Sequence, residues 1–325
     1  MKRTFVTLFT LIALTGTASA QEFLVADSSS SGTYQEMVGQ IAKFCGPDGL
    51  TIKEVRPTGG ATANLAALVN NDVSAALLHS DVIFAMSQQD QQYQKLKTLV
   101  ALYPEEIHVI ALRNSGIKTG GTRIGGFGAK EVVFNSVDDL RGYKVGAAGG
   151  GVYTGNILKG SGNLGFEVVE FTTGAEVLPA LDNGNVQAVI FVGGAPLKNV
   201  ASLDGSKYKL LSIGRNVAPT VYKQAVINYP NLRSGAVQTL APQALVITRQ
   251  YKTAVMQKPQ AQFRQCFFAH LDEMKEIPGL HKKWQAVDEN DHGTWNWYEL
   301  PGDTAARAPA EEVPVPAVTK KRRLR

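Results

Sequence analysis

Cysteine is almost absent from this chain: Cys45 and Cys266 are the only two in 325 residues. Two thiols exclude a disulfide-dense scaffold and a four-cysteine zinc site. The pair reads either as one bridge, which an oxidising compartment favours, or as two buried thiols in separate helices, and sequence gives no distance to decide. The five histidines, His79, His108, His270, His281 and His292, show no zinc-ligand spacing. There is no G-x-S-x-G elbow, and neither cysteine has a histidine nearby in sequence. Adjacent Asp138 and Asp139 would face different ways on a helix and read as caps. Nothing here points to covalent or acid–base catalysis, so no enzyme activity, cofactor or metal is expected.

Long apolar runs are also missing. Phe5 to Leu14 is too short to span a bilayer. With Lys2 and Arg3 before it and Ala18-Ser19-Ala20 after it, it reads as a secretory signal over residues 1–20. A mature chain from Gln21, exported to the periplasm, is expected. Strong net charge is lacking too. The formal +5 includes two positive charges in the signal and five in the last six residues, Lys320 to Arg325; without them the remainder is −2. No nucleic-acid surface is indicated. Residues 301–325 are Ala/Pro-rich and then basic, and read as a disordered tail.

What the chain has in quantity is glycine, 32 residues, much of it beside hydroxyl residues where a strand gives way to a helix. Phe23 to Ala26 reads as a buried strand, and Met37, Val38, Ile41, Ala42 and Phe44 fall at helical spacing. Between them lies Ser28-Ser29-Ser30-Ser31-Gly32-Thr33-Tyr34. A single N-cap needs one serine; several hydroxyls together with the unpaired N–H groups and dipole of a helix start suit a small anion. The design repeats. Thr51 to Val55 leads into Pro57-Thr58-Gly59-Gly60 and a helix from Ala61, and Ala75 to Leu78 leads into Ser80-Asp81. A second unit follows: Lys144 to Ala148, then Gly149-Gly150-Gly151-Val152-Tyr153 opening a helix, and Ala188 to Val192, then Gly193-Gly194-Ala195-Pro196 starting another. Between the units, Gly116 to Gly128 reads as a long loop. In an open α/β sheet such junctions line the crevice at the carboxyl ends of the strands. Ala244 to Thr248 reads as a strand returning to the first unit, and Gln262 to Met274 as a helix.

Two motifs fail on context. Gly160-Ser161-Gly162-Asn163-Leu164-Gly165 matches G-x-G-x-x-G but follows a helix and precedes a strand, the reverse of a dinucleotide site. Asp288, Asn290, Gly293 and Glu299 match an EF-hand loop, but His292 stands where an oxygen ligand belongs and Pro301 blocks the following helix.

In order and spacing the chain resembles the TAXI family of solute-binding proteins of TRAP transporters, over most of residues 23 to 250. The motifs are Gly32-Thr33-Tyr34, Thr58-Gly59-Gly60 with Asn64, Ser80-Asp81-Val82, Leu102-Tyr103-Pro104-Glu105 with His108-Val109, Asp139-Leu140-Arg141-Gly142, Gly149-Gly150-Gly151 and Gly193-Gly194-Ala195-Pro196. Val152 departs from the Thr or Ser often found in the family. The resemblance implies a two-lobed α/β fold of the type II-like periplasmic binding proteins, each lobe a mixed sheet flanked by helices, with the ligand in the cleft between them. The lobes are expected at 21–112 plus 241–300 and at 113–240. It implies a monomeric receptor that delivers a small organic acid or amino acid, glutamate-like or a dicarboxylate, to TRAP membrane subunits. The ligand-binding residues it implies are Ser31, Thr33, Tyr34, Thr58, Gly60, Ser80, Gly149, Gly151 and Tyr153. Arg56 and Arg113 read either as partners for an acid group or, more simply, as surface arginines. The alternatives are the same fold serving an ABC importer or a periplasmic sensor, a secreted enzyme with a two-lobed cleft, and an adhesion protein that has lost ligand binding.

Overall fold

The structure is a computed structural model that describes residues 21–27, 33–56, 60–120, 129–214 and 217–300. The expected signal, the tail, the serine loop 28–32 and Thr58 lie outside these residues. The first part of the chain alternates strand and helix: β1 (Gln21–Ala26), α1 (Thr33–Cys45), β2 (Leu50–Val55), α2 (Gly60–Val69), β3 (Ala75–His79), α3 (Ser80–Gln89) and β4 (Lys97–Pro104). Then come β5 (Glu106–Leu112), the short pair β6 (Lys118–Thr119) and β7 (Lys130–Glu131), β8 (Lys144–Ala148), α4 (Gly150–Gly162), β9 (Glu167–Phe171), α5 (Gly174–Asp182), β10 (Ala188–Gly193), α6 (Lys198–Ala201) and β11 (Tyr208–Leu211). The last elements are the hairpin β12 (Lys223–Asn228) and β13 (Ala236–Ala241), then β14 (Gln243–Thr248) and α7 (Ala254–Glu276).

Two five-stranded sheets result, in the orders β2-β1-β3-β14-β4 and β11-β5-β10-β8-β9. In the first, β1 runs parallel to β2 and β3, while β14 is antiparallel to β3 and β4. In the second, β8 runs parallel to β9 and β10, while β5 is antiparallel to β10 and β11. Each sheet is apolar on both faces. In β3, Ala75 and Leu77 enter one cluster with Phe23 and Phe263, and Ala76 and Leu78 enter another with Leu65 and Val82. That two-residue alternation, apolar on both sides, requires helices on both faces of the sheet. The second sheet is likewise covered by two clusters. The fold is thus a mixed α/β structure of two lobes, as expected.

The chain crosses between the lobes at Glu105, between β4 and β5, and at Pro242, between β13 and β14. The crossings touch: the Glu105 N–H donates to the Pro242 carbonyl at 2.8 Å. Residues 106–112 were expected in the first lobe, but they pair with β10 and β11. Ladder partners, which local hydrophobicity does not encode, move the first crossing back to Glu105. One other expectation is corrected: Pro196 lies before α6, which begins only at Lys198. Tyr93–Lys95 forms a single 3-10 turn. The strand β12 carries an exposed Val226.

Cys45 and Cys266 form a disulfide, Cα–Cα 5.7 Å, joining α1 to α7. Packing prepares it: Phe263 of α7 stacks on Phe23 of β1 at 4.7 Å, and buried Arg264 donates to the carbonyls of Leu99 (2.9 Å) and Tyr298 (2.7 Å). Asp48 and His270 lie beside Cys266, whose sulfur is committed to the bridge. In the EF-hand-like stretch, Asp291 Oδ2 accepts from Lys223 Nζ (3.2 Å) and Gln243 Nε2 (2.9 Å), and Asp288 Oδ1 accepts from the Asn290 N–H (2.9 Å). No helix among the described residues is long and apolar enough to cross a membrane.

Candidate functional site

Strand ends and helix starts from both lobes converge on one cleft of about 760 Å³. From the first lobe come Asp27 at the end of β1, Thr33 and Tyr34 opening α1, Asn64 of α2 and His79 ending β3. The crossing contributes Glu105. From the second lobe come Gly149–Gly151 at the start of α4, Thr172–Ala175 at the start of α5, and Pro196–Asn199 after β10.

The expected site residues divide accordingly. Thr33, Tyr34, Gly149 and Gly151 line the cleft together. Gly60 opens α2 next to cleft-lining Ala61. Ser31 and Thr58 lie outside the described residues. Two expectations are corrected. The Ser80 hydroxyl is buried behind the cleft, where it accepts from the Gln243 N–H at 3.1 Å. Tyr153, in the first turn of α4, packs against the first lobe's core. The two arginines are also elsewhere. Arg56 is exposed and pairs with Glu54 at 2.7 Å. Arg113 donates to the Gly205 carbonyl at 2.6 Å and to that of Leu232. Among the described residues, no arginine lines the cleft.

A buried polar network stands in their place. His79 is hydrogen-bonded through Nδ1 to Asp81 Oδ1. Asp81 is fully buried, and its other oxygen accepts from two hydroxyls of the second lobe, Thr154 at 2.6 Å and Tyr222 at 2.8 Å. Burial resists charge on both His79 and Asp81. The charge and hydrogen bond of each partner outweigh it, so the His79 pKa is raised and that of Asp81 lowered. The result is an imidazolium–carboxylate pair at the floor of the cleft. His79 Nε2 faces the backbone of Gly150, where any Cβ would collide with it. Gly149 caps α4 with φ +53°, a conformation that suits glycine, and no side chain among the described residues caps that end. The start of α5 differs: Glu176 accepts from the Thr172 N–H (3.3 Å) and the Thr173 hydroxyl (3.1 Å). Of these two helix starts, the open one is that of α4, beside a charged histidine.

Glu105 is 3% exposed and accepts from the Tyr34 hydroxyl. Burial raises its pKa to about 7. His79 and the Tyr34 hydrogen bond work against that rise, and Asp81 and Glu106 add to it. Burial, then Glu105, holds the Tyr34 hydroxyl protonated. Across the cleft, the Leu197 N–H donates to the Tyr229 hydroxyl (2.7 Å), which is hydrogen-bonded to buried His108 Nε2 (2.8 Å). Burial lowers the His108 pKa to about 4, which keeps the ring neutral. That chain anchors the wall at Pro196–Asn199.

Sequence reasoning assigned no site role to Asp27, His79 or Glu105. Each follows directly on a strand or ends one, where alternation reads only as apolar. The signal available was a charged residue ending an otherwise apolar run.

No family model matches the chain, and no curated protein matches it. Solved structures resemble it in shape. A mutant of ArgBP from T. maritima is 12% identical, covers 81% of this chain and 95% of its own, and has a TM-score of 0.49. The amino acid ABC transporter substrate-binding protein AbpA from Streptococcus pneumoniae, bound to L-arginine, is 14% identical over 82% and 96%, with a TM-score of 0.48. The arginine-, lysine-, histidine-binding protein ArtJ from Geobacillus stearothermophilus is 16% identical over 81% and 95%, with a TM-score of 0.47. Likeness at this level carries no argument about what this chain binds.

Proposed function

We propose that this protein is a periplasmic solute receptor that closes on a small organic acid or amino acid. The observation that carries the reading is the cleft lined by both lobes, with two adjoining crossings at Glu105 and Pro242. A ligand touching both walls gains its full contacts only when they approach, so its binding free energy shifts the population toward the closed form. The acid group is held at the open start of α4 and by His79, where N–H groups, the helix dipole and an imidazolium act together. Thr33, Tyr34, Gly149 and Gly151 are the proposed ligand contacts from the original motifs. Delivery to TRAP membrane subunits is supported by the order and spacing of the sequence motifs.

Calorimetry of the full chain against amino acids, dicarboxylates and 2-oxo acids tests the reading, together with small-angle scattering. Binding accompanied by a smaller radius of gyration is expected. Chemical turnover of the bound molecule, or no ligand in the whole panel, would overturn it. Pull-down with detergent-solubilised TRAP membrane subunits tests the transporter assignment; capture by an ABC permease instead would refute that part alone.

A further inference from the structure

The first lobe's side of the cleft has the wrong chemistry for a ligand that is only an acid. Asn64 is 1% exposed; its Nδ2 donates to the Leu77 carbonyl at 3.1 Å, while its Oδ1 is buried with no hydrogen-bond partner among the described residues. Asn64 lines the cleft. Leaving such an acceptor unmatched is costly, so the site is built for a donor that arrives with the ligand. Two buried carboxyl groups, Asp27 and Glu105, line the same side. Among the described residues, the side-chain donor to Glu105 is the Tyr34 hydroxyl, and a carboxylate has room for more than one.

Resting on the receptor reading, we propose that Asn64 Oδ1, Glu105 and Asp27 form a nitrogen subsite that holds a protonated amine of the solute while its acid group lies at His79 and the start of α4. Acceptors on the first lobe thus face the N–H groups at the start of α4 on the second, with His79 of the first lobe beside that helix start, and the pattern fits a zwitterion. A dicarboxylate or a 2-oxo acid would place a carboxylate or carbonyl oxygen against buried acceptors. It would leave Asn64 Oδ1 unpaired and bring like charges together. A site built around a ligand N–H rejects the analogue that lacks it far more strongly than an apolar pocket rejects a missing methylene. The same acceptors explain why the cleft holds no arginine among its described residues. One acid group is already served by His79 and a helix start, and a guanidinium would neutralise the groups that select the amine.

The test uses the full chain in calorimetric titrations at pH 7.5 with each L-amino acid and the 2-oxo acid of the same carbon skeleton, plus C4 and C5 dicarboxylates. An amino acid is expected to bind at least a hundredfold more tightly than its oxo acid. E105Q keeps the size and the Tyr34 contact and is expected to weaken that amino acid at least tenfold. N64A is expected to do the same and to narrow the amino-to-oxo ratio. Because Asn64 also supports Leu77, thermal melts accompany both variants, and E105Q carries the test where N64A does not fold. An oxo acid or dicarboxylate that binds as tightly as the amino acid, with closure in scattering, overturns the nitrogen subsite and leaves the receptor standing. Unchanged amino acid affinity in folded E105Q also overturns the subsite. Silence across the panel overturns both.

Discussion

Glu105 is held where water cannot solvate its charge, and the consequences run in two directions. Its ordinary pKa of 4.5 is raised to about 7 in the fold, chiefly by burial. A carboxyl that binds its proton more tightly when folded stabilises the protein at low pH and loses that contribution as pH rises from 4.5 through 7. The shift corresponds to about 3 kcal/mol. E105Q is therefore expected to raise the melting temperature of the unliganded protein at pH 8, with the gain vanishing near pH 5. A variant that melts lower at pH 8 would contradict this. The groups around Glu105 are Tyr34 from α1, His79 and Asp81 from the β3–α3 junction, Asp27 from β1, and Tyr103 and Glu106 beside it in the chain. Of these, His79 also titrates; against burial, the charge and hydrogen bond of Asp81 raise its pKa. Amine affinity should climb about tenfold as pH rises from 6 to 8 and Glu105 ionises, then fall where His79 loses its proton. In E105Q the acid limb of that profile should disappear and the alkaline limb should remain.

At the scale of elements, the start of α4 decides how closely the lobes can meet. Gly150 faces His79, and the ring is fixed from behind by Asp81, so it cannot easily withdraw. Gly150→Ala is expected to weaken ligand binding at least tenfold while both lobes stay folded, because the added methyl props the cleft open. Unchanged affinity by calorimetry would show that the ring moves freely. The glycine triplet was legible in the sequence as a close approach to something, but its partner was not. His79 is distant in the chain, and only the ladder pairing of β3 with β14 and the packing of α3 on α4 bring it there. Glu105 was quoted in a motif yet given no role, because a glutamate after Pro104 looks solvated until a second crossing is laid against it.

Over the whole molecule, one covalent link ties distant parts of the chain. The Cys45–Cys266 bridge spans 221 residues of sequence within the first lobe. Long loops gain most from closure, and loss of this one is expected to cost about 2–4 kcal/mol. The double variant C45S/C266S should melt several degrees lower and retain ligand affinity, since neither cysteine lines the cleft. Lost affinity in a folded double variant would mean that α1, which carries Thr33 and Tyr34, is displaced.

Local pattern alone determined much of this protein. Period-two and period-3.6 apolar spacing marked most strands and helices, and small residues at strand ends marked where helices begin, because both are consequences of nearest-neighbour geometry. Tertiary structure alone decided the crossing at Glu105, the bridge between α1 and α7, and the polarity of the cleft. Each of these depends on residues far apart in the chain meeting under burial. Burial is also what turns an ordinary glutamate, histidine and asparagine into groups with a charge or an acceptor to offer.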